Sequence, residues 1–348
     1  MKKIVVASVR QKVGKTTISL GIAKKKENVG YMKPLGDNQI YRKKRLIDYD
    51  AFLFKEVFSI DEPVEDFTLG FHHSKILLTF PNVEKEFERR YKSLSKGKDF
   101  FIVEGGEDIV RGASIGLDAF SIAKKINAGI ILVVAGEVYD IIDDITFANW
   151  MANKKGIKIE GIVVNKVKGR DKEKIRKEVK KLGIPILGFV PFIKELNVLK
   201  ARYIADKLFA RVVAGEKGLD KEIESIFIAA LSVPEIVRHP EFKKENKLII
   251  TGGDRTDVIT ACLRNKTSCI ILTNNIIPPP NILAKADRND IPLLLLKSDT
   301  YSVAKKVEDI EPIILPDETK KIEKVVEVME DIETLMSVKI ASKVIDLP

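Results

Sequence analysis

Apolar, β-branched runs alternate with helix-period stretches through the first two hundred residues. The runs Lys3–Ser8, Val29–Lys33, Phe100–Glu104, Ala128–Val134, Gly161–Asn165 and Ile186–Val190 are mostly apolar throughout rather than alternating. Strands buried on both faces of a parallel sheet carry that pattern, and the helical stretches between them supply right-handed crossovers. The pattern then restarts. Ala201 to Leu231 reads as helical, with a break at Gly215 and Gly218, and strands follow at Lys247–Thr251, Ser268–Leu272 and Ile291–Leu296. Helical stretches Thr256–Leu263 and Asn281–Ala286 lie between those strands, and a charged amphipathic tail from Thr319 to about Lys343 closes the chain. The expectation is an α/β chain: a mostly parallel sheet with helices on both faces over residues 1–200, then a smaller α/β domain over 201–348 ending in a helix. Ligands in open sheets of this kind bind at the carboxyl ends of the strands.

Chemistry-bearing residues fall at those ends. Ile4-Val5-Val6 leads into Val13-Gly14-Lys15-Thr16-Thr17, and an amphipathic stretch from Ile18 to Lys25 follows at once. Strand, GKT loop and helix start describe a phosphate cradle, in which backbone N–H groups and the helix dipole point at one anion. In such a loop Lys15 reaches the β- and γ-phosphates and the Thr16 hydroxyl takes a place on Mg²⁺. Val9 stands where the consensus has its first glycine, and the competing reading is an ordinary strand-to-helix turn.

Four further positions follow strands. Lys33-Pro34 either adds positive charge over the crevice or is solvent-exposed. Asp48 and Asp50 lie in a helix-like segment, IDYDAFLF, where residues two apart point in different directions. They are therefore expected not to share a metal: one takes Mg²⁺, or both sit on a solvated face. Phe101-Ile102-Val103-Glu104-Gly105-Gly106 ends an apolar strand in an acid, as a P-loop protein needs opposite its GKT to hold Mg²⁺. Asn165, at the end of Ile162-Val163-Val164, either reads a purine edge with its amide or forms a turn.

Composition narrows the class. Lys+Arg outnumber Asp+Glu by 60 to 50, a net charge of +10 that fits polyanions such as nucleotides. Basic residues are mixed with acidic ones along helical stretches and no RNA-binding aromatic signature accompanies them, so nucleic acid is not the expected ligand. Cys262 and Cys269 sit among apolar neighbours without metal-ligand spacing, as buried thiols in a reducing compartment do. Arg10 interrupts the apolar start, and no run approaches the ~18 apolar residues of a membrane span. A cytoplasmic protein without membrane partners is expected.

The order Val-Gly-Lys-Thr, Lys-Pro, Asp-Ala, Val-Glu-Gly, Val-Asn and Leu-Gly-Phe-Val-Pro (Leu187 to Pro191) resembles dethiobiotin synthetase and its P-loop relatives, cobyrinic acid amide synthases among them. In the second half, Ile250-Thr251-Gly252-Gly253-Asp254-Arg255-Thr256-Asp257 resembles the signature of the DRTGG domain, as do Leu272-Thr273 and Ser298-Asp299-Thr300-Tyr301. Both halves in this order resemble the amino-terminal regulatory portion of long phosphotransacetylases and stand-alone archaeal proteins that share it. The resemblance implies ATP and Mg²⁺ as cofactors. Val13, Gly14, Lys15, Thr16 and Thr17 would bind the triphosphate, Thr16, Asp50 and Glu104 the Mg²⁺, and Asn165 the adenine. Lys33 would match the substrate-side lysine, and Arg10 stands where related loops carry a lysine that reaches a nucleotide across a dimer. A homodimer is implied.

Departures bear on activity. Ser8, Gln11 and Lys12 replace a glycine and a Thr-Glu pair, and Leu35-Gly36-Asp37 replaces small polar residues after Lys-Pro. Biotin synthesis is not expected, nor is acetyl phosphate formation, because no acetyltransferase segment follows the second domain. Gly252, Gly253, Asp254 and Arg255 read either as a second anion site or as a turn with Asp254 capping the next helix and Arg255 pairing with Asp257. The expected function is nucleotide-dependent regulation or sensing through a small effector or a partner enzyme. The alternative is ATP-dependent activation of a carboxylate for capture by an amine.

Overall fold

Strands that are apolar at successive positions have no polar face for water, so they assemble where both faces are covered. In the computed structural model, which describes residues 1–42 and 45–329, six such strands form one sheet. Their order is Val29–Met32, Phe100–Glu104, Lys2–Ala7, Gly129–Val134, Ile159–Val167, Ile186–Pro191. Every neighbouring pair is parallel. The register sets Val5 between Val103 and Ile130, and all three are fully buried. This is the P-loop type of α/β fold, and Lys2–Ala7, in mid-sheet, delivers the GKT loop.

A second sheet has the order Arg211–Ala214, Leu293–Leu295, Thr267–Thr273, Lys247–Gly252, Ser225–Ile228. Its first pair is antiparallel and the rest are parallel. Two of these strands lie inside the stretch Ala201 to Leu231 that reads as helical in sequence. The helix is only Ala201–Lys207. Phe209 turns to φ +53°, and the Ala210 N–H donates to Ala205 O at 2.9 Å, which closes the helix end. Beyond it, Val212-Val213 and Ile226-Phe227-Ile228 have the β-branched and aromatic character that strands favour. The apparent helical period there came from pooling two short strands.

By contacts the chain forms two units. One comprises Met1–Gln39, Leu46–Ile193 and the chain from Ile314; the other comprises Ile40–Arg45 and Lys194–Ile313. The division therefore differs from a single cut at residue 200. The tail packs with the first unit: Tyr49 donates its hydroxyl to Ile314 O at 3.0 Å. The helix Thr319–Val328 lies on the P-loop helix Lys15–Lys24, where a Cβ on Gly21 would stand 2.5 Å from Met329 Cγ and 3.0 Å from Val325 Cγ1. The predicted continuation of the tail helix toward Lys343 lies outside the described residues. No helix among the described residues is long and apolar enough to cross a membrane.

Close strand packing sets a size limit at Gly30. A Cβ there would meet the buried Phe101 ring at 2.4 and 2.6 Å and Leu94 O at 3.1 Å. Gly30→Ala is therefore expected to lower unfolding free energy by about 1–3 kcal/mol, the usual cost of overpacking. Urea denaturation read by circular dichroism checks it.

Candidate functional site

The loop after Lys2–Ala7 ends at Gly14, which sits at φ +88° and ψ 35° as the residue preceding the helix Lys15–Lys24. No side chain caps this helix, so its first N–H groups are left open to an anion. Glycine is required there twice over, by φ and by space: a Cβ would lie 2.4 Å from Asn165 Nδ2. Asn165 itself donates to Val13 O at 2.8 Å, and its Oδ1 accepts from the Lys166 N–H at 2.9 Å. In this structure its amide ties the loop to the strand Ile159–Val167. Val13 is buried beneath the loop, and Thr16 and Thr17 are half-buried in the first turn.

Lys15 is buried, and burial lowers its pKa. Its ammonium donates to Ser8 Oγ at 3.0 Å and to Glu107 O at 2.9 Å, both neutral oxygens. Glu104, Asp37 and Asp50 act on this cation from a distance, but its direct partners are neutral, so an arriving anion would stabilise it, and this is the fit of the loop to a phosphate chain. Beside it, Thr16 donates to Glu104 Oε1 at 2.8 Å. A hydroxyl and a carboxylate so placed next to a phosphate cradle are the donor set that Mg²⁺ takes. Tyr31 donates to the other Glu104 oxygen at 3.2 Å. Burial raises the Glu104 carboxyl to about 7.

Lys33 is 1 % exposed and enclosed by acids. It forms short ion pairs with Asp37 and Asp50, and its Nζ lies 3.8 Å from Asp48 Oδ2 and 4.0 Å from Glu104 Oε1. Burial works against the ammonium, but Asp48, Asp50, Asp37 and Glu104 outweigh it and hold the pKa well above its ordinary value. Here the structure corrects the expectation for the acidic pair. Asp48 is not inside a helix: it is the N-cap of Tyr49–Val57, at φ −81° and ψ 130°, accepting from the Asp50 and Ala51 N–H groups. Its second oxygen accepts from the N–H groups of Asp37 and Asn38 at 3.1 and 3.2 Å. Off the helix, its carboxylate converges with that of Asp50, and with Asp37 the three present oxygens within 4.8 Å of one another.

Arg10 is turned to the helix Val138–Lys155. Its Nε bonds both Asp144 oxygens at 3.0 Å, and a terminal nitrogen lies 3.2 Å from Asp140. The expected capping by Asp254 is also corrected. The helix Thr256–Cys262 has Arg255 as its N-cap, with no side-chain cap. Asp254 Oδ1 folds back instead, to 2.4 Å from where a Gly252 Cβ would be. Arg255 donates to Leu231 O at 2.7 Å and lies 4.0 Å from Asp257, while Gly253 has room for no Cβ beside Ile276 O. These residues form a packed junction.

Three participants carried no sequence motif. Tyr31 reads as an ordinary strand aromatic, and Glu107 acts on Lys15 through its backbone carbonyl, which no sequence displays. Asp37 had one signal, its place four residues after Lys33.

Known proteins match along the whole arrangement. The family model described as an AAA domain matches residues 2–198, and the DRTGG domain matches 203–310. A phosphate acetyltransferase of Synechocystis is 24% identical over 332 residues, 88% of this chain and 47% of that protein. The chain thus spans about half the length of such relatives. The ATP-dependent dethiobiotin synthetase of Clostridium kluyveri is 26% identical over 69% of this chain and 98% of its own. The cobyrinate a,c-diamide synthase of Methanococcus maripaludis is 28% identical over 57% of this chain and 41% of its own.

The raised Glu104 carboxyl makes stability depend on pH. Folded, it keeps its proton to about 7; its ordinary value is 4.5. Its favourable contribution is therefore complete below about pH 4.5 and is lost as pH rises through about 7. In EDTA-treated protein, the unfolding free energy of wild type relative to Glu104→Gln should fall between pH 5 and 8, by at most about 1.4 kcal/mol per pH unit for one proton. Urea titrations across that range measure it, and a flat difference would refute the assignment.

Proposed function

Because the chain belongs to the AAA-domain family and carries a DRTGG domain behind that domain, we propose that it is a nucleotide-dependent regulatory protein. The observation that carries this reading is the contrast between its two buried lysines. Lys15 has only neutral oxygens in direct contact, whereas Lys33 is ion-paired with Asp37 and Asp50 and has Asp48 and Glu104 behind them. A carboxylate substrate would have to displace buried acids to reach Lys33, and no such competition faces a phosphate at Lys15.

In this reading Val13, Gly14, Lys15, Thr16 and Thr17 bind the phosphates of ATP, and Thr16, Glu104 and Asp50 supply the Mg²⁺ ligands. Asn165 holds the loop and reaches the adenine. Arg10 exchanges Asp140 and Asp144 for nucleotide phosphate in a two-fold dimer. The DRTGG domain answers a small effector or a partner enzyme in the cytoplasm.

One observation favours the second reading, an ATP-dependent carboxylate–amine ligase: the Clostridium kluyveri synthetase is matched over nearly its whole length. There a carboxylate oxygen at Lys33 attacks the γ-phosphorus, ADP leaves, and an amine then displaces phosphate from the acyl phosphate.

Thermal shift with ATP·Mg²⁺ tests both. At 100 times Kd, binding should stabilise the protein by about 2.7 kcal/mol, and Lys15→Ala should abolish that gain. Negligible ADP release across a carboxylate panel supports regulation. Release that requires a carboxylate supports the ligase, and no shift with any nucleotide overturns both.

A further inference from the structure

The second unit has a cleft of its own. It lies where the strands Thr267–Thr273 and Leu293–Leu295 end and the antiparallel strand Arg211–Ala214 begins. Its volume is ≈ 320 Å³, and Phe209, Arg211, Asn275, Lys297, Ser298 and Lys306 are among its lining residues. Sites for small molecules span ~300–1,000 Å³, so the cleft suits one small molecule rather than a polymer.

Its chemistry is one-sided. Three cations and no carboxylate line it. The Arg211 and Lys297 side chains make no hydrogen bond or ion pair among the described residues, and Lys306 has a long hydrogen bond to Ser298 Oγ at 3.4 Å. Three cations lining one cleft without acids are left to solvent unless an anion joins them. Cations of this unit are paired in some places, as Arg202 is with Asp220 and Lys194 with Glu224; what sets the cleft apart is that three of them share one concave lining.

An aromatic ring stands beside the charges. Phe209 is 62 % exposed, and its ring meets Tyr41 at 6.3 Å and 71°, an edge contact. Its backbone is held at φ +53°, unfavourable for a bulky residue, by the helix closure at Ala210. Asn275 is held likewise, at φ +56°, its N–H donating to Leu296 O at 2.8 Å. The fold thus spends backbone strain to present an exposed ring and an amide at the mouth of a cationic cleft.

We infer that this cleft binds a small phosphorylated ligand with a planar ring, of nucleoside-monophosphate size. The Arg211 fork takes two phosphate oxygens, Lys297 and Lys306 balance a dianion, the ring stacks on Phe209, and Asn275 hydrogen-bonds the ring edge. The site is separate from the junction Gly252–Arg255, and it does not rest on the reading of the P-loop.

AMP is the probe, titrated calorimetrically into the full chain carrying Lys15→Ala so that the P-loop is silenced. One saturable site is expected. Arg211→Gln and Lys297→Gln should each weaken it about tenfold or more, as the loss of a charge-assisted hydrogen bond does. Phe209→Leu should weaken AMP while leaving inorganic phosphate unchanged, and Lys305→Gln, beside Lys306 in the helix Thr300–Glu308 but outside the lining, should change neither. Melting curves establish that each variant folds. Absence of AMP binding, or binding indifferent to both Arg211→Gln and Lys297→Gln, overturns the inference. So does inorganic phosphate binding as tightly as AMP, because the ring would then contribute nothing.

Discussion

An ammonium group taken out of water must be met by charge or by several acceptors, and the first unit buries two of them, Lys15 and Lys33, on either side of the strand that ends in Glu104. Lys33 follows the strand Val29–Met32 and Glu104 ends the neighbouring strand Phe100–Glu104. Their proximity is thus a consequence of sheet order, which places those strands side by side. Around Lys33 the same acids do other structural work. Asp48 starts the helix Tyr49–Val57 and ties down the backbone of Asp37 and Asn38. The loop, the helix start and the charge balance at the sheet edge are therefore one cooperative unit, and an alteration to any of these carboxylates is felt by all.

Much of the first unit was legible because its signals are redundant. A strand buried on both faces is apolar at every position, so the six runs stood out, and the GKT loop sits between two such signals. The electrostatics were less legible. Asp48 and Asp50 have the spacing of diverging helix positions only if both are helical, and a one-residue shift of the helix start brings their carboxylates together. Asn165 was visible as a strand-end amide, but its partner, the Val13 carbonyl, is 152 residues away and has no sequence signature.

The second unit was harder to read because its strands are short. Arg211–Ala214 and Ser225–Ile228 have four residues each, too few to separate a two-residue from a 3.6-residue period. Phe209 compounded the difficulty: a bulky residue in the left-handed region ends a helix where glycine or asparagine is the usual marker. GGDRTD was conspicuous as a motif, yet Gly253 serves close approach to Ile276, Gly252 makes room for Asp254, and the arginine serves the Ala230 and Leu231 carbonyls. A motif's visibility and its availability to a ligand are separate properties.

The return of the chain at Ile314 makes the second unit an insertion rather than an appendage. Expression of residues 1–200 alone, the natural choice from the sequence, would remove Val325 and Met329 and bare Gly21 on the helix that presents Lys15. A fragment made that way would display a new apolar groove beside the phosphate loop, so weak nucleotide binding or aggregation in it would report the missing helix rather than the loop. Faithful dissection of the two units calls instead for excising the inserted stretch and rejoining the chain around it, leaving the helix Thr319–Val328 attached to the domain it covers.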